Sequence, residues 1–108
     1  MQKKRTRVYF WKPFPWKVEG MLTKAMMSKL EIIEAYPQAD VIIVDASGSQ
    51  DLTMIAYDRN RRARIVALVA PSATSDCRQK CFDAGAAVVR DIPGKPKDCR
   101  VVVKSIGG

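Results

Sequence analysis

Few residues of this chain could do chemistry, and the best placed is Asp45, which closes the apolar run Val41-Ile-Ile-Val44 and opens Asp45-Ala-Ser-Gly-Ser49. A carboxylate followed by hydroxyl residues and a glycine, just ahead of an expected helix, has the ingredients for handling phosphate. Backbone N–H groups at a helix start can cradle an anion. No P-loop or dinucleotide glycine pattern accompanies it, so the motif is unspecific. An ordinary strand-to-helix turn accounts for the same residues, with Gly48 in an unusual backbone conformation and Ser49 or Asp51 capping the helix, and that account is favoured. The chain has no histidine, so no hydroxyl or thiol has an imidazole base, which excludes a His-assisted nucleophile. Cys77, Cys81 and Cys99 are odd in number and sparse, unlike a disulfide framework. They also fall short of a four-ligand zinc set. They are expected to be free thiols, buried or half-buried. No catalytic residue, cofactor or metal site is expected, and the chain is read as a non-enzyme.

Binding residues are more plentiful. Five of the eight aromatic residues lie between Tyr9 and Trp16, interleaved with Lys12 and flanked by Arg7 and Lys17. Tyr9, Trp11, Lys12, Phe14 and Trp16 form a candidate partner-binding surface, because Trp, Tyr and Arg dominate interface hot spots. Phe10 is the member expected to be purely core. The alternative is a Trp/Pro loop folded over the end of a small core. The net charge is +8, and most of the excess precedes the first acid, Glu19. Lys3, Lys4, Arg5 and Arg7, with a second cluster of Arg59, Arg61, Arg62 and Arg64, are candidate nucleic-acid contacts through their field. A solubilising tail and a helix C-terminus weighted with cations account for them equally well.

The elements that must position these residues follow from periodicity. Arg5–Trp11 alternates, with Val8 and Phe10 on one face and Arg7, Tyr9 and Trp11 on the other, as in a strand with one buried face. Pro13 and Pro15 stiffen the following loop. Leu22, Met26, Leu30 and Ile33 line one face of a helix expected from Val18 to Tyr36, ended by Pro37. Met21, Met26, Met27 and Met54 are expected to pack in the core or between helices. Val41–Val44 and Arg64–Ala70 are continuously apolar, the mark of strands buried on both faces of a parallel sheet. A helix near Leu52–Arg61 should turn Leu52, Ile55 and Ala56 inward. Another, Asp76–Ala84, should be capped by Thr74 or Ser75 and closed by Gly85. Ala87–Arg90 reads as a fourth strand and Arg100–Lys104 as a fifth. Alternating strands and helices mean an α/β layer with a mostly parallel sheet.

From Ala39 to Pro93 the sequence resembles the second half of a bacterial response-regulator receiver domain. The likeness rests on the apolar strand ending in Asp45, the helix ending Phe82-Asp-Ala-Gly-Ala86, and the cadence Gly85-Ala-Ala-Val-Val-Arg-Asp-Ile-Pro93. The resemblance implies a flavodoxin-like fold of four to five mostly parallel strands with about three helices. A receiver has a helix, a strand and a second helix ahead of the Asp45 strand, where this sequence shows a single helix, so one strand–helix unit is expected to be missing. The resemblance makes Asp45 the phosphoacceptor position. It also implies an acidic pair for magnesium at the end of the first strand, where Phe10, Trp11 and Lys12 stand. The Ser or Thr implied after the next strand is Ala70, and the Lys implied before the proline is Ile92. A lone carboxylate without magnesium and the Lys poorly stabilises an acyl-phosphate. A degenerate, pseudo-receiver subtype is therefore expected.

Length and composition bound the rest. A chain of 108 residues, 47% hydrophobic and 28% charged, fits one domain over residues 1–108, with 1–4 and 105–108 frayed. No run of about 18–20 apolar residues is present to cross a bilayer. No apolar segment follows the basic start as in a secretory signal, so a cytoplasmic setting is expected. The expected function is a non-catalytic signalling module of pseudo-receiver type acting through protein–protein contact or self-association. It could be the N-terminal domain of a longer regulator, since no terminal helix is evident. Nucleic-acid binding through the basic clusters is the alternative. If the strands run in one direction from Val8 through Val41, Ile65 and Val88, the helices share one face. The other face is then left open to drive a dimer.

Overall fold

A computed structural model describes residues 5–26 and 30–107. The chain forms β1 (Thr6–Phe10), α1 (Trp16–Met26), β2 (Leu30–Ile32), β3 (Val41–Asp45), α2 (Asp51–Arg59), β4 (Arg64–Val69), α3 (Ser75–Asp83), β5 (Val88–Asp91) and α4 (Cys99–Gly107). The strands make one all-parallel sheet in the order β2-β1-β3-β4-β5. This is the flavodoxin-like α/β fold that the sequence implies.

The pleat explains the apolar runs. Val8, Phe10, Val41, Ile43, Val66, Leu68 and Val88 point to one face, where Leu22 and Met26 of α1 and Cys99, Val102 and Ile106 of α4 cover them. Ile42, Val44, Ile65, Ala67, Val69 and Val89 point to the other, against Ala56 of α2 and Cys81 of α3. The central strands are thus apolar from Val41 to Val44 and from Ile65 to Val69, because both faces are dry there. Each fully buried Ile or Leu there contributes about 1.5–3 kcal/mol.

Several expectations are corrected. The helix expected over Val18–Tyr36 stops at Met26, and Leu30–Ile32 is an edge strand in register with β1, Thr6 opposite Leu30 and Val8 opposite Ile32. No strand is missing. What a receiver's second helix would occupy is a 3-10 turn, Tyr36–Gln38. The expected fifth strand over Arg100–Lys104 is instead α4, in which Cys99, Val102 and Ile106 recur at helical spacing on the buried face. The chain therefore has a terminal helix, and Ser105–Gly107 belong to it; Met1–Lys4 and Gly108 lie outside the described residues. The inward stripe of α2 is Leu52, Thr53 and Ala56, while Ile55 is exposed. Met26 is buried and Met21 half-buried, but Met54 is exposed; Met27 lies outside the described residues. Both faces carry helices, α1 and α4 on one and α2 and α3 on the other, so the open face expected to drive a dimer does not exist. The physical reason is β2: right-handed crossovers from β1 outward to β2, and from β3 the opposite way to β4, put their helices on opposite faces.

Candidate functional site

In a parallel sheet all strands deliver their loops to one end, and the direction of winding reverses between β1 and β3. Ligands of open α/β sheets bind at such a switch point, beyond the carboxyl ends of the strands. Here β1 ends in Phe10 and β3 in Asp45. The chain leaves β1 with the Trp11 N–H bonded to the Ile43 carbonyl at 2.9 Å, and leaves β3 with the Ala46 N–H on the Leu68 carbonyl at 2.8 Å. Asp45 is half-buried. Its Oδ1 accepts from the Ser47 N–H at 3.0 Å and the Ser47 hydroxyl at 2.6 Å, closing the turn on itself. Ser49 Oγ accepts from the Asp51 N–H at 3.2 Å. The helix cap proper is Gln50, whose side chain makes no capping bond. Gly48, expected in an unusual conformation, does not have a positive φ; among the described residues only Gly85 does.

Beside Asp45 lies a shallow depression of 540 Å³, walled by Pro13, Phe14 and Pro15 on one side and by Ser47, Gly48, Ser49 and Leu52 on the other. The wall from the first loop is thus apolar. The cation of that loop is turned away, since Lys12 Nζ pairs with Glu19 Oε1 of α1. On the β4 and β5 side, Ile92 packs against the core. One guanidinium at that end is committed elsewhere: Arg78 of α3 bonds Asp91 Oδ1 at 2.8 Å and the carbonyls of Ala73 and Pro71. Thr74 caps α3 by accepting from the Cys77 N–H at 3.1 Å, as its sequence position suggests.

Magnesium, which receivers hold here, does not fit the residues present. Asp45 stands without the acidic pair, and its Oδ1 already serves Ser47. Among the described residues no group of three or more His, Cys, Asp or Glu is arranged to hold a metal ion. Cys77, Cys81 and Cys99 are free. Burial pushes the Cys81 thiol up, helped by Cys77 and opposed by Arg78, and burial also raises Cys99, with Asp98 adding to it. A raised thiol is a poorer nucleophile.

The aromatic set that looked like one recognition surface is split among three places. Phe14 is core, with its ring 5.0 Å from that of Phe10. Tyr9 and Trp11 are half-buried on the opposite face and meet Tyr36 at 6.2 and 5.2 Å. Trp16 opens α1 and is 77% exposed. The strand alternation separates Phe10 from Tyr9 and Trp11 as expected, but Tyr36, which completes their cluster, carried no sequence signal. Among the basic candidates, Arg5, Arg59, Arg61 and Arg62 are exposed and Arg7 is half-buried beside Asp40. Lys3 and Lys4 lie outside the described residues.

No protein-family model matches the sequence, and no curated protein is similar to it. Solved structures are similar in fold. A response regulator from Thermotoga maritima matches with a TM-score of 0.73 at 17% identity, over 95% of this chain and 98% of that one. An orphan response regulator of H. pylori gives 0.73 at 13% identity, over 95% and 96%. The CheY-like protein TadZ from Pseudomonas aeruginosa gives 0.67 at 12% identity, over 97% and 95%. The chain has the receiver fold along nearly its whole length.

Proposed function

We propose that this chain is a regulatory module of pseudo-receiver type, which uses the receiver scaffold for protein–protein contact and does not transfer phosphate. The observation that carries the proposal is the state of the switch-point end. Asp45 keeps the phosphoacceptor position, but its carboxylate closes a turn on Ser47 and faces an apolar Pro13-Phe14-Pro15 wall. Phosphoryl transfer is almost entirely charge stabilisation and positioning. Trp11, Ala70 and Ile92 supply neither. Three free thiols suit a reducing, cytoplasmic setting. Nucleic-acid binding is the weaker reading: Arg7 and Arg61 are paired with Asp40 and Asp58, and Arg61, which covers the Tyr57 ring, is the one cluster arginine set against an aromatic among the described residues.

The test is incubation of the chain with acetyl phosphate and magnesium, followed by intact mass. No phosphoryl adduct is expected. A stable single adduct that disappears in Asp45→Asn would overturn the proposal.

A further inference from the structure

A helix laid on a sheet normally turns its larger apolar side chains inward. In α2 the fully buried positions hold only Thr53 and Ala56, while Met54, Ile55 and Tyr57 stand 49%, 44% and 38% exposed. Thr53 Oγ1 is buried without a hydrogen-bond partner among the described residues. An apolar side chain of the same shape would cost the fold less there. Packing alone would favour the reverse distribution, with the hydroxyl outside and the isoleucine inside.

Contacts on this face join the exposed side chains into one surface. Met54 and Tyr57 are one turn apart, and the Tyr57 ring packs against Gly85 beyond α3. The Gly85 N–H bonds back to the carbonyl of Phe82, which is itself 45% exposed. On the other flank of α2, Ile55 is followed one turn later by Arg59. The surface ends in arginines, at the end of the sheet opposite Asp45. Arg61 Cζ lies 5.7 Å from the centroid of the Tyr57 ring. Arg59, Arg62 and Arg64 are exposed and in no ion pair among the described residues. The carboxylates nearby are engaged: Asp58 lies 3.7 Å from Arg61, Asp83 accepts from Gln79 at 3.1 Å, and Asp40 is held by Arg7. The positive charge at this end is therefore uncompensated.

We infer that the outward face of α2, with Phe82 of α3, docks a segment of a partner protein that carries apolar anchors next to a run of carboxylates. The inference rests on the reading of the chain as a protein-binding module. Met54, Ile55 and Phe82 take the anchors, and the guanidinium forks take the acids. A basic segment meets repulsion. A second copy of this chain brings the same arginines and a net charge of +8, which makes it a poor occupant. An anionic lipid surface matches the arginines but not the stripe itself. Asp51 and Asp58 are exposed and alternate with Met54 and Ile55 along the outermost line of the helix, where they would be pressed against headgroups of like charge.

The experiment titrates the chain with labelled probes and follows anisotropy and amide chemical shifts. The probes are a short peptide with Leu and Phe anchors beside a Glu run, its counterpart with Lys for Glu, its counterpart with Ser for the anchors, oligothymidine, and vesicles of phosphatidylserine and phosphatidylcholine. The acidic apolar peptide is expected to bind at least about tenfold tighter than the two other peptides and oligothymidine, with no vesicle capture. Ile55→Gln, Phe82→Gln and the pair Arg59→Gln with Arg62→Gln should each weaken it about tenfold at an unchanged urea midpoint. Shift changes are expected on Met54, Ile55, Tyr57 and Phe82, while Trp16→Ser, on the opposite face, leaves binding unchanged. Equal binding of the peptides, preference for oligothymidine or vesicles, or no binding overturns the assignment. So does self-association that Ile55→Gln abolishes. A lowered midpoint for Ile55→Gln with binding intact also overturns it, since that side chain then serves the fold. Should Ile55→Gln lower both, the arginine pair decides, because its side chains lie outside the core. Peptide binding with shifts confined to other faces overturns this surface but leaves the chain a protein-binding module. Phosphoryl uptake on Asp45 overturns the underlying reading instead, so the two failures are distinguishable.

Discussion

Gly85 follows the last turn of α3 with φ +119°, a conformation that L side chains rarely adopt. A Cβ there would sit 2.5 Å from Tyr57 Cγ on α2. Two costs therefore fall on Gly85→Ala: backbone strain and displacement of the Tyr57 ring, which Arg61 covers at 5.7 Å. The substitution is expected to destabilise by about 1–3 kcal/mol, seen as a lower urea midpoint at unchanged slope. Tyr57→Ala removes the ring but keeps the Cβ, which a Gly85 Cβ would meet at 2.8 Å, and it leaves the strain untouched, so adding Gly85→Ala to it should still lower the midpoint. Equal midpoints for Tyr57→Ala and the double variant would mean that Gly85 is present only to make room. The sequence predicts the first role, since glycine just past a helix is a stop signal. It could not predict the second, because Tyr57 is distant along the chain.

Elements were legible where a single period dominates and misread where two periods share residues. Leu22, Met26 and Leu30 fit one helical stripe, yet Leu30 is buried from a strand on that same face. A short apolar stretch such as Leu30-Glu-Ile-Ile33 cannot be assigned by periodicity alone, and pairing with β1 decided it. Three consecutive valines argued for a strand over Arg100–Lys104, but β-propensity yields to packing. Only a helix puts Cys99, Val102 and Ile106 on one face while turning Val101 out. Between β2 and β3 the chain crosses with only the 3-10 turn Tyr36–Gln38 in place of an α-helix, and Asn60, at the end of α2, holds that crossing in place. Its Nδ2 donates to the Tyr36 carbonyl at 2.8 Å and to that of Ala39 at 3.4 Å, while its Oδ1 accepts from the N–H groups of Arg62 and Ala63. Asn60→Ala strips partners from two segments at once and is expected to cost about 1–3 kcal/mol. Hydrogen exchange should report faster opening of Tyr36–Asp40 than of β4. A uniform loss of protection would mean that the crossing does not depend on Asn60.

For the whole molecule, the places of Asp45, Ala70 and Ile92 in the fold could be read along the chain, because each stands at or just past the end of an apolar strand. The surface between α1 and α4 could not, since the two helices lie far apart along the chain and meet only in the fold. The charge distribution was half legible. The excess near the N-terminus is plain in the sequence, but the structure divides it into exposed and engaged residues. Arg5 is exposed, whereas Arg7 lies at the foot of β1 against Asp40. The Arg7 N–H donates to Asp40 Oδ2 at 2.9 Å, its Nε is 3.7 Å from the same oxygen, and the Asp40 N–H returns to the Arg7 carbonyl at 2.9 Å. Those backbone bonds fasten the β2–β3 crossing to β1. Replacing Lys3, Lys4 and Arg5 with Gln should leave stability within about 0.5 kcal/mol of the parent, the usual range when charges of a solubilising tail are neutralised. Adding Arg7→Gln leaves the backbone bonds in place and removes the guanidinium, so the further loss should be about 1 kcal/mol or less. The ion pair at Arg7 implies that salt narrows the gap between the triple and quadruple variants, while leaving the triple variant level with the parent. Thermal melts of the three proteins at low and high salt measure both effects. A fall of many degrees in the triple variant would place the basic arm among the elements that hold the sheet, and not on its surface.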